Sequence, residues 1–241
     1  MITVRRDGEI HREEGGWFEA RWHFSFDRYR DPENMGWGLL RVFNDDRLIP
    51  GAIWPLHPHR DIEGLTYVVE GTFRHEDDLG NDGVLRAGSV QRMTLGSGAW
   101  HSEQNGSESE PMRFIQMWVL PHERGLPPSV EQREFTVEDR TDRLLRAISG
   151  EGGEGGEAVH VHQDASVFVA RLNPGVSVAH AFSPGHGGYL YVIGGALRLG
   201  EDGEVLRTGD AVKVRDERGL PLAAEETTEL LLVDVPMADR P

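Results

Sequence analysis

The chain is 241 residues long, contains no cysteine and carries a formal net charge of −16, from 25 basic and 41 acidic residues. The lack of cysteine excludes disulfides, thiolate zinc sites and a cysteine nucleophile, and the acidic balance argues against nucleic acid as a direct partner. No run approaches the roughly 18 apolar residues that would span a bilayer, and the first residues lack an apolar signal-peptide core. We therefore expect a cytoplasmic protein with no membrane association.

Strand patterns dominate residues 1–120. Polar and apolar residues alternate near the end of 17–26, where Trp22, Phe24 and Phe26 share one face. Further runs rich in apolar, β-branched and aromatic residues recur between turn residues at 38–44, 65–69, 72–76, 84–93 and 114–120. The Asp45-Asp46 pair is typical of a turn. Short strands at regular intervals with glycine-rich turns predict an all-β sandwich or barrel.

Residues 121–128 interrupt this pattern with three prolines and are interpreted as the passage between two halves of the chain. Strand patterns resume at 167–172, 189–193, 196–199, 206–214 and 228–235. The halves share an internal repeat, because 67–73 resembles 191–197 and 85–90 resembles 206–212. The recurring order of strand, glycine turn, strand and second glycine turn favours two related β-barrels over one large sandwich.

Few helices are expected. The one helix candidate is 137–148, which is short and polar. Residues 149–157, with the sequence SGEGGEGGE, have the composition of a flexible linker. Strand-like residues flank this segment, so a long hairpin tip is the preferred interpretation and a linker is the alternative.

Two short pairs provide the main functional signal. His57-Pro58-His59 and His101-Ser102-Glu103 each place potential ligands two residues apart. Side chains at i and i+2 of a strand point to the same face. Two such pairs on neighbouring strands would direct three imidazoles and one carboxylate to one point, a ligand set that suits Fe, Ni, Cu, Mn or Zn.

The residues around these pairs resemble the two consensus motifs of the cupin superfamily. The motifs read Gly51-x5-His57-x-His59-x3-Glu63 and Gly88-x5-Thr94-x-Gly96-x4-His101-x3-Asn105. Within 37–120 the chain resembles the pirin family more closely, through 40–46, 57–63, 70–81 and 93–103. The resemblance implies a bicupin, two jelly-roll-type β-barrels packed together. The expected domains are a metal-binding cupin over 1–130 and a degenerate cupin over 131–241.

The resemblance also implies the metal ligands. Many cupins use the glutamate after the His-x-His pair, here Glu63, whereas pirins use the glutamate two residues after the last histidine, here Glu103. Spacing agrees with the pirin pattern, because Glu103 shares a strand face with His101. The implied site is one divalent metal on His57, His59, His101 and Glu103, with iron expected and nickel, copper, manganese or zinc as alternatives. Glu63 is then expected to orient a ligand histidine.

Pirins are associated with quercetin 2,3-dioxygenase activity, in which O₂ opens a flavonol and carbon monoxide is released. The implied function is a metal-dependent dioxygenase of a flavonol-like or other enolisable aromatic, with Glu103 as the catalytic residue that takes the flavonol proton. One alternative is a non-enzymatic metal- or redox-sensing regulator that binds a protein partner, since pirins are also associated with such binding. A third hypothesis is another metal-dependent reaction, such as an isomerisation or hydrolysis.

Several residues have both a functional and a structural interpretation. Trp54, Met93, Trp100 and Met117 are candidates for an apolar substrate pocket, and ordinary core packing explains them equally well. His75 is predicted to lie on the surface. Asn105 is predicted to cap or close a turn.

A second metal is not expected in the C-terminal half. His160 and His162 have the i, i+2 spacing, but no histidine follows Gly209, where the second cupin motif would require one. His180-x5-His186 replaces the tight His-x-His pair. The second barrel is therefore expected to be mainly structural.

Overall fold

The computed structural model describes residues 1–152, 155–200 and 203–237, and it is almost entirely β. The strands of the N-terminal half are β1 (Ile2–Arg5), β2 (His11–Glu14), β3 (Phe18–Trp22), β4 (Leu40–Leu48), β5 (Ile53–His59), β6 (Glu63–Glu70), β7 (Thr72–Asp77), β8 (Asp82–Arg86), β9 (Val90–Thr94), β10 (Ala99–Asn105), β11 (Met112–Val119) and β12 (Ser129–Arg133). Those of the C-terminal half are β13 (Leu145–Ser149), β14 (Val159–His160), β15 (Ser166–Leu172), β16 (Ser177–Ala181), β17 (His186–Gly194), β18 (Ala196–Leu199), β19 (Val205–Arg207), β20 (Ala211–Arg215), β21 (Gly219–Ala224) and β22 (Thr228–Pro236). Two short 3-10 helices, Asp7–Glu9 and Glu138–Arg140, are the helices of the described ranges. None of the described helices has the length and apolar character needed to cross a membrane.

Within the described ranges the strands form four sheets, two in each half. The N-terminal half has a seven-stranded sheet, β12-β9-β6-β11-β4-β3-β2, and a four-stranded sheet, β5-β10-β7-β8. The C-terminal half repeats this plan with β1-β20-β17-β22-β15-β13-β14 and β16-β21-β18-β19. Each half is thus a two-sheet barrel, and the predicted all-β bicupin fold is confirmed.

The hydrophobic core lies in three main layers. The central layer is shared by both halves and includes Tyr67 of β6 together with Tyr191 of β17. Val68, the next residue of β6, belongs instead to the interior of the N-terminal barrel, and Val192 of β17 to the interior of the C-terminal barrel. Because neighbouring strand residues face opposite sides, each seven-stranded sheet presents one face to the other half and one face to its own barrel interior.

The predicted internal repeat is confirmed by the strand order. The segment β6 to β9 corresponds to β17 to β20, and the turns between the first two strands fall at Gly71 and Gly195. Both glycines have positive φ, +81° and +92°. A Cβ would come within 2.5 Å of the Pro111 carbonyl oxygen at the first and 2.3 Å of the Thr227 carbonyl oxygen at the second. Only glycine fits either turn without a backbone shift.

Strand pairing crosses the predicted division after residue 130 in two places. Strand β1 lies at the start of the chain but pairs with β20 of the C-terminal half. Strand β12 spans the division and pairs with β9 of the N-terminal half. The two-domain division therefore stays a prediction about folding units, while the sheets tie the two halves together.

The predicted helix at 137–148 is wrong. Glu138–Arg140 is a single 3-10 turn, and Leu145–Ser149 is strand β13, which pairs with β15. Ala147 and Ile148 of this strand are buried in the central core layer. Sheet pairing and burial override the weak local helix preference of this segment.

The hairpin-tip interpretation of 149–157 is also wrong, although residues 153–154 lie outside the described residues. The flanking strands β13 and β14 pair in parallel, with Ile148 opposite Val159. A hairpin tip joins antiparallel strands, so β13 and β14 are not the two arms of a hairpin.

Asp45 and Asp46 do not form the predicted turn, because β4 continues through both residues to Leu48. Asp45 accepts two hydrogen bonds from the Arg113 guanidinium, at 2.8 and 2.7 Å, and one from the Tyr191 hydroxyl at 2.5 Å. These partners from β11 and β17 compensate a buried charge, so a strand can contain it.

Candidate metal centre

Three histidines from two adjacent strands converge in the N-terminal barrel. His57 and His59 lie on β5 and His101 lies on β10, and the antiparallel register places His101 opposite His57. One potential ligand atom of each histidine lies within 4.8 Å of the other two. The ring centroids are 4.8, 4.5 and 5.3 Å apart. Among the described residues, these three histidines are the one group of three or more metal-ligand side chains that is compact enough to hold an ion.

Glu103 lies beside the three histidines. Its side chain is buried, and its Oε1 is 3.4 Å from Nδ1 of His101. The pairing of β10 with β5 shifts register between His101 and Glu103. The compact group is formed by the histidines without Glu103, so the role of Glu103 as a fourth ligand stays a prediction.

Burial decides the protonation of this site. Burial together with the nearby His57 and His59 lowers the pKa of His101 to about 2, and burial together with His57 lowers the pKa of His59 to about 4. These rings are neutral at pH 7, which is the form that binds a metal ion. Burial raises the pKa of Glu103 to about 8, so Glu103 holds a proton at neutral pH unless a nearby cation favours its carboxylate.

The residues present fit a divalent transition metal. Both ring nitrogens of His101 are buried and have no hydrogen-bond partner among the described residues. Buried polar atoms normally have a partner, so this pair of nitrogens indicates a ligand at the histidine cluster. Nδ1 of His57 lies 2.7 Å from the Pro55 carbonyl oxygen. Donation from Nδ1 leaves the lone pair on Nε2 available to a metal.

A cavity of about 590 Å³ adjoins the cluster and is lined by His57, His59 and Glu103. Of the four residues predicted for an apolar pocket, Trp54 lines this cavity. Its ring packs edge-on against Trp17 at 5.0 Å between centroids. An aromatic wall and a group of potential metal ligands therefore face the same space.

The other three pocket predictions are wrong for this cavity. Met93 packs in a small cluster with Leu95, and Met117 lies in the central core layer. Met117 lies between two cavity-lining residues of β11, so strand alternation turns it to the opposite face. Trp100 is 45 % exposed and lines a second, open depression, which shares His59 and Ile62 with the cavity.

Sequence reasoning missed much of the cavity wall. Asn44 and Asp46 of β4 line the cavity together with Phe114, Gln116 and Trp118 of β11. Alternation along β4 could have identified the first two, because residues two apart share a face. The interpretation of Asp45-Asp46 as a turn concealed that signal.

Glu63 does not orient a ligand histidine. It is fully buried on the face of β6 that meets the C-terminal half, where its Oε2 accepts hydrogen bonds from the Thr94 hydroxyl and the His162 backbone N–H, both at 3.2 Å. The expectation is corrected because alternation along β6 turns Glu63 away from the barrel interior. Glu63 instead links the two halves.

His75 is buried rather than exposed, so that prediction is wrong. Its ring lies 5.8 Å from that of His101, and its nitrogens lie 3.3 Å from an Asp77 oxygen and from the Gln91 amide. The prediction for Asn105 is confirmed. Its amide donates to the Glu110 carbonyl at 2.8 Å and closes the turn after β10.

Strand register identifies what the C-terminal barrel has at the positions of the candidate ligands. Phe73 and Leu197 are equivalent in the repeat, and they pair with Asn105 and Ala224. Two residues earlier on these partner strands, Leu222 takes the position of Glu103.

Leu220 takes the position of His101 by the same register. His180 lies opposite Leu220, as His57 lies opposite His101. Phe182 then corresponds to His59. Phe182, Leu220 and Leu222 all pack in the apolar interior of the C-terminal barrel.

His180 and His186 of the C-terminal barrel contact an aspartate within the protein. Nε2 of His180 and Nδ1 of His186 each lie 2.7 Å from an oxygen of Asp234. Within the described ranges the C-terminal half contains no compact group of metal-ligand side chains.

Two family models match the chain. The model described as pirin matches residues 4–119. The model described as the quercetinase C-terminal cupin domain matches residues 147–235.

Relatives match over nearly their whole length. A protein named quercetin 2,3-dioxygenase from Escherichia coli strain K12 is 35% identical over 237 residues, covering 98% of this chain and 99% of that protein. A pirin-like protein from Caulobacter vibrioides is 39% identical over 234 residues, covering 97% and 99%. The crystal structure of the bacterial pirin YhhW from Escherichia coli in complex with nickel(II) has a TM-score of 0.90 and 34% identity, covering 99% of this chain and 100% of that one.

Proposed function

The chain belongs to the pirin family, and from this premise we propose that it is a metal-dependent dioxygenase that opens a flavonol such as quercetin with O₂. The proposed centre is one divalent transition metal on His57, His59, His101 and Glu103. The observation that carries the proposal is the convergence of three histidines beside a cavity of about 590 Å³. The cytoplasm stays the expected location.

One of the similar solved structures bears on the identity of the metal. The similar bacterial pirin structure contains nickel(II), and a ligand set rich in imidazole also suits iron, copper or zinc. Iron remains the ion that we expect from the family resemblance, with nickel as the first alternative. Metal availability decides between such ions as much as the ligands do.

The residues around the cluster have distinct proposed roles. When bound, the ion supplies Lewis-acid polarisation of a flavonol oxygen and redox activation of the flavonol with O₂. The three histidines fix the position of the ion, and Glu103 takes the proton from the flavonol 3-hydroxyl at a carboxylate oxygen. Burial raises the pKa of Glu103, and a bound cation would favour its carboxylate, the form that can accept this proton.

The cavity wall positions the substrate. Trp54, Ile62 and Phe114 line the same cavity as the histidines and offer apolar surface to an aromatic ring. Such surfaces hold planar ligands through ring contacts and exclude water from the reacting atoms. This environment suits a flavonol better than a small hydrophilic substrate.

The test is O₂ uptake and carbon monoxide release with quercetin, using protein reconstituted separately with each first-row divalent metal. Activity should require metal. Glu103→Ala should lower kcat by at least about 100-fold, because no group then takes the hydroxyl proton. Ser102→Ala, a change at the neighbouring residue of the same strand, should leave kcat unchanged.

Two results would contradict the proposal. If quercetin binds but is not consumed with any of the metals, the proposed dioxygenase activity is excluded. A stable protein partner whose binding changes with the redox state of the metal would then favour the regulator. Equal activity in Glu103→Ala and the wild type would remove the proposed role of Glu103.

A further inference from the structure

Three polar atoms without partners lie along one wall of the cavity. Asn44 Oδ1, Asp46 Oδ1 and Trp118 Nε1 are buried and have no hydrogen-bond partner among the described residues. All three side chains line the cavity. Asn44 and Asp46 are only 2 % and 4 % exposed. Buried polar groups nearly always have a partner in protein, water or ligand, so these atoms require one from the cavity.

Other polar residues of the same cavity have partners within the protein. The Ser25 hydroxyl donates to the Asp31 carbonyl and accepts from the Asp31 N–H, both at 2.8 Å. Oε1 of Gln116 accepts from the Thr66 hydroxyl at 3.1 Å. Some polar side chains of the cavity therefore have hydrogen-bond partners in the protein, whereas Asn44 Oδ1, Asp46 Oδ1 and Trp118 Nε1 have none among the described residues.

The three positions form one surface across two paired strands. Asn44 lies opposite Gln116, and Trp118 lies opposite Val42, so all of these side chains project from the same face of the β4–β11 pair. Asn44 and Asp46 are two residues apart, so their backbone positions are about 6.8 Å apart along β4. The histidine cluster belongs to the other sheet of the barrel, because β5 and β10 lie in the four-stranded sheet.

This pattern of donors and acceptors defines a ligand class. Two acceptors in a row match hydroxyl groups, which donate. One indole N–H matches a carbonyl, ether or phenolic oxygen. Trp54 and Phe114 line the same space and provide apolar contact for a ring. A ligand that satisfies all of these groups is an aromatic compound with several hydroxyls.

We infer that the β4–β11 wall recognises the hydroxyl groups of a polyhydroxylated aromatic substrate. Asn44 and Asp46 accept hydrogen bonds from its hydroxyls, and Trp118 donates to one of its oxygens. The inference rests on the proposed function for the reacting end of the substrate. It adds specificity-determining residues that lie outside the proposed metal ligands.

The test compares three flavonols that share the reacting group but differ in other hydroxyls. The probes are 3-hydroxyflavone, its 5,7-dihydroxy derivative and its 3′,4′-dihydroxy derivative. Calorimetric titration of metal-free protein without O₂ measures binding alone. At least one hydroxylated probe should bind about ten-fold or more tightly than 3-hydroxyflavone, because a site built to bond a hydroxyl rejects the analogue without it. Equal affinities for the three probes, or no binding by any of them, would overturn the inference.

Substitutions in the β4–β11 wall then test whether this wall causes the difference in affinity between the probes. Asn44→Val and Asp46→Leu should reduce the affinity ratio to less than about three-fold, with little change for 3-hydroxyflavone. Trp118→Phe removes the indole N–H together with part of the ring and should weaken all three probes alike. Ser25→Ala, which alters a cavity residue with partners in the protein, should keep the wild-type ratio. The assignment would be overturned if the folded Asn44→Val variant kept the wild-type affinity ratio and the folded Trp118→Phe variant kept the wild-type affinities. This outcome holds even where Asp46→Leu does not fold.

This result is separable from the proposed dioxygenase activity. Discrimination among the probes without any O₂ uptake by metal-loaded protein would support hydroxyl recognition and remove the oxygenase proposal. O₂ uptake that is indifferent to the additional hydroxyls would support the oxygenase and overturn the recognition surface.

Discussion

The two barrels share a strand plan but differ in what occupies equivalent positions of their interiors. The N-terminal barrel has His59 and His101 where the C-terminal barrel has Phe182 and Leu220. Both ring nitrogens of His101 are buried without a hydrogen-bond partner among the described residues, whereas the equivalent C-terminal positions belong to an apolar cluster. The same fold can therefore support a ligand site or a packed core, and the ligand site is the less stable arrangement without its ligand.

Metal content should show the largest difference between the barrels. His101→Ala removes the most buried candidate ligand and should lower bound metal from about one ion per chain to below about 0.1. His180→Ala removes the histidine that takes the position of His57 in the C-terminal barrel and should leave metal content unchanged. Elemental analysis of the purified proteins measures both. Equal metal loss in the two variants, or none in either, would contradict the assignment of the site to the first barrel.

Reciprocal substitutions should have opposite effects on the stability of the metal-free protein. His101→Leu replaces an imidazole that has no hydrogen-bond partner among the described residues by an apolar side chain, and it should raise the free energy of unfolding by about 1–3 kcal/mol. Leu220→His introduces an imidazole into a packed apolar interior and should lower it by about 2–4 kcal/mol. Urea unfolding measures both changes. Destabilisation of similar size by the two substitutions would show that the barrel interiors are energetically alike.

The pH dependence of stability should carry a smaller signature of the N-terminal site. The pKa of Glu103 is raised from 4.5 to about 8, so between pH 7 and 8 the folded metal-free protein retains a proton that the unfolded chain has released. Stability then falls as pH rises through this window, by about 1 kcal/mol. Burial and the nearby Asp45 and Glu103 also raise the pKa of Asp46.

The variant Glu103→Gln isolates this contribution. Its slope of stability against pH should be shallower than that of the metal-free wild type. His59 and His101, whose pKa values are lowered, add only a small slope of opposite sign above pH 7, which is common to both proteins. Thermal unfolding at pH 7.0, 7.5 and 8.0 provides the comparison. Parallel slopes for the two proteins would mean that Glu103 is not protonated in the folded metal-free state.

Local sequence was sufficient to predict the structure where side chains or turn glycines recur at a fixed spacing. The i, i+2 spacing of His57 and His59 predicted their shared face, and the glycine turns predicted the repeat that includes Gly71 and Gly195. Local sequence failed for 137–148, where pairing with β15 imposed a strand. It also failed for Met117, because only the position of the sheet between two cores decides which face of a strand lines the cavity.

The sequence by itself determined the all-β class, the internal repeat and the same-face histidine pair, because strand periodicity and turn glycines are local properties. The resemblance to the pirin family added the bicupin fold and the implied ligand set. The tertiary structure decided that Glu63 bonds His162 across the two halves and that Asp45 is paired with Arg113 inside a strand. It also decided that Asn44, Asp46 and Trp118 share one cavity. These outcomes depend on residues far apart in the chain, and their partners become visible only when the sheets are packed together.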